Sequence, residues 1–320
     1  MVEDGHDVVE SNLTGASDPS LDADRLAYVL RWRNATTGFC ELRLLDITTG
    51  EKRVLVHTES TIDPDGSSCS MDYPALDYPW IVWRDVREYP GITTGPFSGD
   101  PWHVHAFNAE TGEEINLSVD PETGEVVWRG SVKVDLLGTV AVFEPSWGGW
   151  DVPVVAEIVS VDLATGERRQ LTSAPGYQFW PAITPRWIAW LDQRNAPECV
   201  RPVVCRTDIY ALDRVTGEER ALVIAGDSMQ GDELDGEGDW LAYEDQRDGT
   251  DITRERDREE DIYAFHLPTM TEVRVTDWPG YELMPRVYQR TDGSYGVLVI
   301  EELDYFEAYY RLWDCDLPAF

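Results

Sequence analysis

The sequence predicts an all-β chain, a six-bladed β-propeller with four antiparallel strands per blade. Three observations carry this expectation. A Thr-Gly-Glu turn recurs at Thr49-Gly50-Glu51, Thr111-Gly112-Glu113, Thr165-Gly166-Glu167 and Thr216-Gly217-Glu218, with a degenerate copy at Thr271-Glu272. The Glu positions lie 62, 54, 51 and 54 residues apart, a period that marks a repeat architecture. Each turn is flanked by short runs of strand character, and no stretch has helical periodicity.

Within each repeat the elements follow one order. A short first strand is introduced by Pro19, Pro74, Pro181 or Pro285. An apolar, often aromatic-tipped second strand comes next: Leu26 to Tyr28, Ile81 to Trp83, Val140 to Val142, Ile188 to Trp190, Leu241 to Tyr243 and Val297 to Ile300. The third strand alternates, as in Asp208-Ile-Tyr-Ala-Leu-Asp213 and Asp261-Ile-Tyr-Ala-Phe-His266. The Gly of the turn supplies the positive φ that a tight hairpin needs. The fourth strand ends in a Leu-Thr-like pair: Leu117-Ser118, Leu171-Thr172 or Val275-Thr276. Six apolar runs against five tips place blades at 18–58, 73–120, 126–174, 180–226, 232–278 and 284–316. Residues 7–14 end in Leu13-Thr14, like a fourth strand, and are expected to complete the last blade, leaving no open sheet edge. The whole of 1–320 is then one propeller.

Bulk properties exclude several function classes. The formal charge of −35 opposes binding to phosphate backbones or anionic lipid, so neither nucleic acid nor a membrane surface is an expected partner. No apolar run of about 18 residues offers a membrane span. The first residues, Met1-Val-Glu-Asp-Gly-His6, have neither a basic start nor an apolar segment, so no signal sequence is read in this chain.

The pattern Gly176-Tyr-Gln-Phe-Trp-Pro181, echoed by Gly280-Tyr-Glu-Leu-Met-Pro285, leads into Ile-Ala-Trp-x-Asp-x-Arg, then Asp-Ile-Tyr-Ala-x-Asp and Thr-Gly-Glu. This combination resembles the TolB-type, WD-like propeller repeats of bacterial envelope proteins. The resemblance spans nearly the whole chain and is strongest in the fourth and fifth repeats. It implies a six-bladed ring, an extracytoplasmic location and a protein-binding scaffold. The first, third and sixth repeats depart from the motif, with Leu30, Glu144 and Glu302 where its Asp would stand.

Long connections between second and third strands (86–102, 145–156, 193–207 and 246–260) define an expected binding face. Asp85, Asp192 and Asp245, with Glu144 and Glu302, lie where that face meets the sheets. They read either as an acidic ring for a cation or basic ligand, or as strand-end carboxylates bonding loop amides and the Arg two residues on. Tyr177, Trp180 and Tyr281 either stack on a sugar or peptide or wedge between blades. His103 and His105 share a strand face without a third ligand, which favours a structural pair over a metal site. Calcium is the candidate cofactor, since 63–66 and 232–239 are Asp-rich; the first lacks the complete loop pattern and the second falls on the turn between first and second strands, so both also read as plain turns. Cys40 with Cys69 and Cys199 with Cys205 are expected to form disulfides on this face, leaving Cys315 unpaired and implying an oxidising compartment such as the periplasm or cell exterior.

No Gly-x-Ser-x-Gly elbow is present, which sets aside a propeller-bearing peptidase. The expected function is a monomeric, non-catalytic scaffold for a protein or glycan partner; the acidic charge reads either as a solubility feature or as a preference for a basic partner or a cation. The alternatives are a carbohydrate lyase or hydrolase acting through carboxylates of that face, and a propeller that binds divalent cations.

Overall fold

The computed structural model describes residues 16–33, 37–61, 71–87, 102–128, 133–149, 152–196, 207–224, 230–247, 260–278, 281–304 and 309–320. The chain is an all-β, six-bladed β-propeller, and no helix occurs among these residues. It divides into two compact units, 1–153 with 159–169 and 154–158 with 170–320.

In the first unit, sheet one consists of β1 (Ala16–Asp22), β2 (Arg25–Arg33), β3 (Thr37–Asp46) and β4 (Lys52–Thr61), hydrogen-bonded in sequence order. Sheet two repeats this with β5 (Met71–Asp77), β6 (Trp80–Asp85), β7 (His103–Asn108) and β8 (Glu114–Asn116). Sheet three has β9 (Val134–Leu137), β10 (Val140–Phe143), β13 (Val159–Asp162) and β14 (Arg168–Gln170). Its expected long loop instead contains a hairpin, β11 (Ser146–Gly149) with β12 (Val152–Ala156).

In the second unit, sheet four is β15 (Gln178–Ile183), β16 (Trp187–Asp192), β17 (Asp208–Asp213) and β18 (Glu219–Val223). Sheet five is β19 (Gln230–Glu237), β20 (Trp240–Asp245), β21 (Asp261–His266) and β22 (Thr271–Arg274). Sheet six has three described strands, β23 (Tyr281–Gln289), β24 (Tyr295–Asp304) and β25 (Tyr309–Asp316). The closing strand expected from 7–14 lies outside the described residues.

The second strands carry the core. Trp83, Trp190 and Tyr243 are fully buried at matching positions. β16 and β20 are buried along their whole length, because both faces of a central strand are covered and polar–apolar alternation disappears.

Five tips share one chemistry. The Oδ1 of Asp46, Asn108, Asp120, Asp162 or Asp213 accepts the amide of the Thr three residues on. That Thr hydroxyl accepts the amide two residues later, and the intervening Gly has φ between 71° and 75°. One of the five, at Thr123-Gly124-Glu125, belongs to an extra hairpin closed by a Val119–Val126 bridge, which the repeat count did not include. The tip between β21 and β22 lacks the Gly, and Met270 takes φ +54° there while 43% exposed. A non-glycine in that region is strained, so Met270→Gly is expected to raise stability by about 1 kcal/mol, read as a rise in melting temperature.

The Leu-Thr-like pair has a defined task. The hydroxyls of Ser118, Thr172 and Thr276 accept the amides of Val104, Ile158 and Ile262 at 2.9, 2.8 and 2.8 Å, satisfying the start of the third strand.

The prolines are placed differently from expectation. The pairing register of β1, β5, β15 and β23 shifts between Ser17 and Ser20, Asp72 and Ala75, Phe179 and Ala182, and Leu283 and Arg286. Pro19, Pro74, Pro181 and Pro285 thus sit within first strands, at bulges, where the ladder does not need the missing N–H. Tyr73, Trp180 and Met284, each preceding a proline, adopt φ of 47°, 54° and 54°.

Candidate functional site

Asp85, Asp192 and Asp245 end β6, β16 and β20, and each is fully buried. The Asp192 carboxylate accepts the Trp190 indole N–H at 2.8 Å and the Arg194 amide at 2.8 Å. It also accepts the Arg194 guanidinium, Nε to Oδ1 at 2.9 Å and a terminal nitrogen to Oδ2 at 2.6 Å. Asp85 accepts Trp83 Nε1 at 3.1 Å and the Arg87 amide at 2.8 Å, and it pairs with Arg87 Nε at 3.0 Å. Asp245 holds the Arg247 amide and its Nε, both at 2.8 Å. These are the bonds of a strand-end clasp. Burial pushes the Asp85 and Asp245 carboxyls above their ordinary value, while Arg87 and Arg247 pull the other way.

Each arginine has a second acidic partner that sequence reasoning missed. Arg87 reaches Glu114, Arg194 reaches Glu219 at 2.5 Å and Arg247 reaches Glu272 at 2.7 Å. Their guanidinium groups lie over Trp83, Tyr210 and Tyr263, 5.8, 3.9 and 4.3 Å from the ring centroids. The signal was present: in two copies the tip Glu is followed directly by this second acid, and in the degenerate copy the acid follows Thr271.

The other candidates fall into several settings. Glu144 is buried and accepts the Lys133 amide at 2.9 Å. In sheet six the register places Glu301 opposite Glu282, as Asp192 is opposite Gln178. Glu301, rather than Glu302, therefore occupies the motif position, and Glu302 pairs with Tyr281 and Tyr310. Tyr177 and Trp180 are 7% and 6% exposed, so their rings are packed inside rather than presented. Tyr281 lies on β23. His103 and His105 are buried; His103 contacts Asn116 at 2.9 Å, and His105 contacts Arg87 at 3.0 Å and Glu114 at 3.1 Å. Although burial opposes it, His105 and Arg87 hold the Glu114 carboxyl below its ordinary value.

In the Asp-rich run 232–239, Glu233 pairs with Arg286 at 2.9 Å and Asp235 accepts the Val287 amide at 2.9 Å. The run 63–66 lies outside the described residues. Among the described residues, no group of three or more His, Cys, Asp or Glu side chains is placed to hold a metal ion. Cys40 is buried and disulfide-bonded, and Cys315 is a free thiol that burial pushes up. Cys69, Cys199 and Cys205 lie outside the described residues, as do most of the long second-to-third connections.

No protein-family profile matches the sequence, and no curated protein matches it. Solved structures do match. A putative TolB from Agrobacterium tumefaciens aligns with a TM-score of 0.52 at 13% identity, over 89% of this chain and 92% of that one. An acylaminoacyl peptidase from Pyrococcus horikoshii aligns at 0.60 and 11% identity, and a puromycin-hydrolyzing peptidase from Mycobacterium tuberculosis at 0.57 and 14%. These cover 96% and 98% of this chain but 46% and 48% of the peptidases, so the chain spans about half of either enzyme. Likeness at such identity concerns the backbone arrangement. With the repeated sheets and their clasps, it shows that this chain has the TolB-type six-bladed β-propeller fold.

Proposed function

We propose that the protein is a non-catalytic, extracytoplasmic scaffold that binds a protein or glycan partner through its long second-to-third connections. The carrying observation is the state of Asp85, Asp192 and Asp245. With no exposure, with amide and guanidinium donors on all three and an indole donor on Asp85 and Asp192, these carboxylates are committed to holding sheet ends and are poor candidates for acid–base work on a substrate. Rigid sheets that carry long loops at one end suit recognition.

The disulfide state of Cys40 supports an oxidising compartment. The proposed pairs are Cys40 with Cys69 and Cys199 with Cys205. Titration of the denatured chain without reductant is then expected to find one reactive thiol, Cys315; five would overturn the compartment assignment.

Incubation of the full chain with acidic polysaccharides, followed by product analysis, tests the scaffold reading. The expected result is no turnover, together with partner binding that is lost when 197–206 or 248–259 is shortened. Turnover would establish a glycan-active enzyme instead. A calcium-dependent rise in melting temperature, reversed by chelator, would add a cation to the scaffold.

A further inference from the structure

Sheet one differs from sheet two at the end where its second strand joins its third. β2 and β3 have nine and ten residues, whereas β6 and β7 of sheet two have six each. The register places Leu30 opposite Glu41 and Glu41 opposite His57, then Trp32 opposite Phe39 and Phe39 opposite Glu59. Trp32, Phe39, His57, Glu41 and Glu59 therefore share one side of the projecting strands. Trp32 and Phe39 stack with centroids 5.4 Å apart and planes 10° from parallel. The His57 ring lies 6.0 and 6.2 Å from theirs. Its Nδ1 contacts Glu41 at 3.0 Å and its Nε2 contacts Glu59 at 3.5 Å. Trp32 is 38% exposed, and the Glu59 side chain is 63% exposed.

The chain itself indicates what such a surface accepts. At Arg87, Arg194 and Arg247, a guanidinium lies over one aromatic ring and bonds two carboxylates. In the aligned second strand of sheet one, Leu30 replaces the Asp and Trp32 replaces the Arg. The result is a solvent-facing aromatic stack with the exposed Glu59 beside it, Glu41 being buried and already paired with Arg43 at 2.6 Å, in a chain of net charge −35. A glycan hydroxyl gains little from this excess negative charge, whereas a cation gains from the rings and Glu59 together.

We propose that the projecting side of sheet one binds an arginine side chain of a basic partner segment, with the guanidinium over the Trp32–Phe39 stack and bonded to Glu59. The proposal rests on the scaffold reading and selects a basic protein as the partner class.

The test uses the full chain and a decapeptide of alternating Arg and Gly, with a Lys–Gly peptide and a neutral oligosaccharide as comparisons. Binding is followed calorimetrically at low and high salt, because unspecific attraction to an acidic protein fades with salt. Trp32→Ala is expected to weaken the Arg peptide about tenfold at high salt, and Glu59→Gln less. Glu110→Gln, an exposed acid at a hairpin tip, should leave binding unchanged, and the Lys peptide should bind more weakly than the Arg peptide. Melting curves of Trp32→Ala matching wild type would exclude a folding defect; if they do not match, Glu59→Gln decides. No binding by wild type, equal binding by both variants, or preferential binding of the oligosaccharide at Trp32 would each overturn the proposal. Peptide affinity that ignores Trp32 yet falls when 248–259 is shortened would refute this site alone and leave the scaffold intact. Glycan turnover would refute the scaffold.

Discussion

Glu282→Gln is expected to flatten the pH dependence of stability between pH 5 and 8. Glu282 is fully buried on β23, where its Oε2 accepts the Thr276 hydroxyl at 3.1 Å. Burial drives its carboxyl up to about 8 from an ordinary 4.5; Thr276 opposes this, and Asp261 and Glu301 reinforce it. The folded chain thus holds a proton that the unfolded chain releases once pH passes 4.5, so stability declines as pH rises toward 8. The same place in sheet four, three residues before the bulge proline, is occupied by Gln178, also fully buried. That residue is the uncharged isostere of a protonated glutamate. The variant should therefore match wild type near pH 5 and exceed it at pH 8 by on the order of 3 kcal/mol. Urea midpoints at the two pH values measure it; parallel shifts in both proteins would show that Glu282 is ionised in the folded chain.

Asp192→Ala should be among the most destabilising single changes in the second unit. It removes the acceptor of the Trp190 indole and of three Arg194 donors while Trp190 stays fully buried. Removing one partner of a buried ion pair costs about 3 kcal/mol or more. Glu219 retains one contact with Arg194 at 2.5 Å, which moderates the loss. Taking away the stranded charge as well, in Asp192→Ala with Arg194→Met, should recover part of it. A double variant as unstable as the sum of the two single ones would show that the pair is not coupled.

The repeat was legible because its tips need a residue with positive φ, and Gly announces that need at Gly50, Gly112, Gly166 and Gly217. The second strands were legible as apolar runs. The proline bulges were not, since a bulge is a mismatch between two strands and one sequence displays only one of them. A register irregularity also sits at Glu302–Asp304, and two adjacent acids, Glu301 and Glu302, make a one-residue offset invisible without the partner strand. For the candidate site, Asp192 and its Arg were evident from spacing. The third member, Glu219, approaches from 25 residues away, and its one sequence signal is the recurrence of an acid directly after the hairpin-tip Glu, as at Glu114.

Carboxylates at or near the ends of first strands also bond across to neighbouring sheets. Asp22 accepts the Tyr78 amide at 2.8 Å, Asp77 the Gly138 amide at 2.6 Å and Asp235 the Val287 amide at 2.9 Å. Each bond couples one sheet to the next one along the chain. Opening of a sheet should therefore propagate to its immediate successor, as in nearest-neighbour models of repeat proteins. Deuterium uptake at Tyr78 would then report on the integrity of sheet one, and uptake at Val287 on that of sheet five.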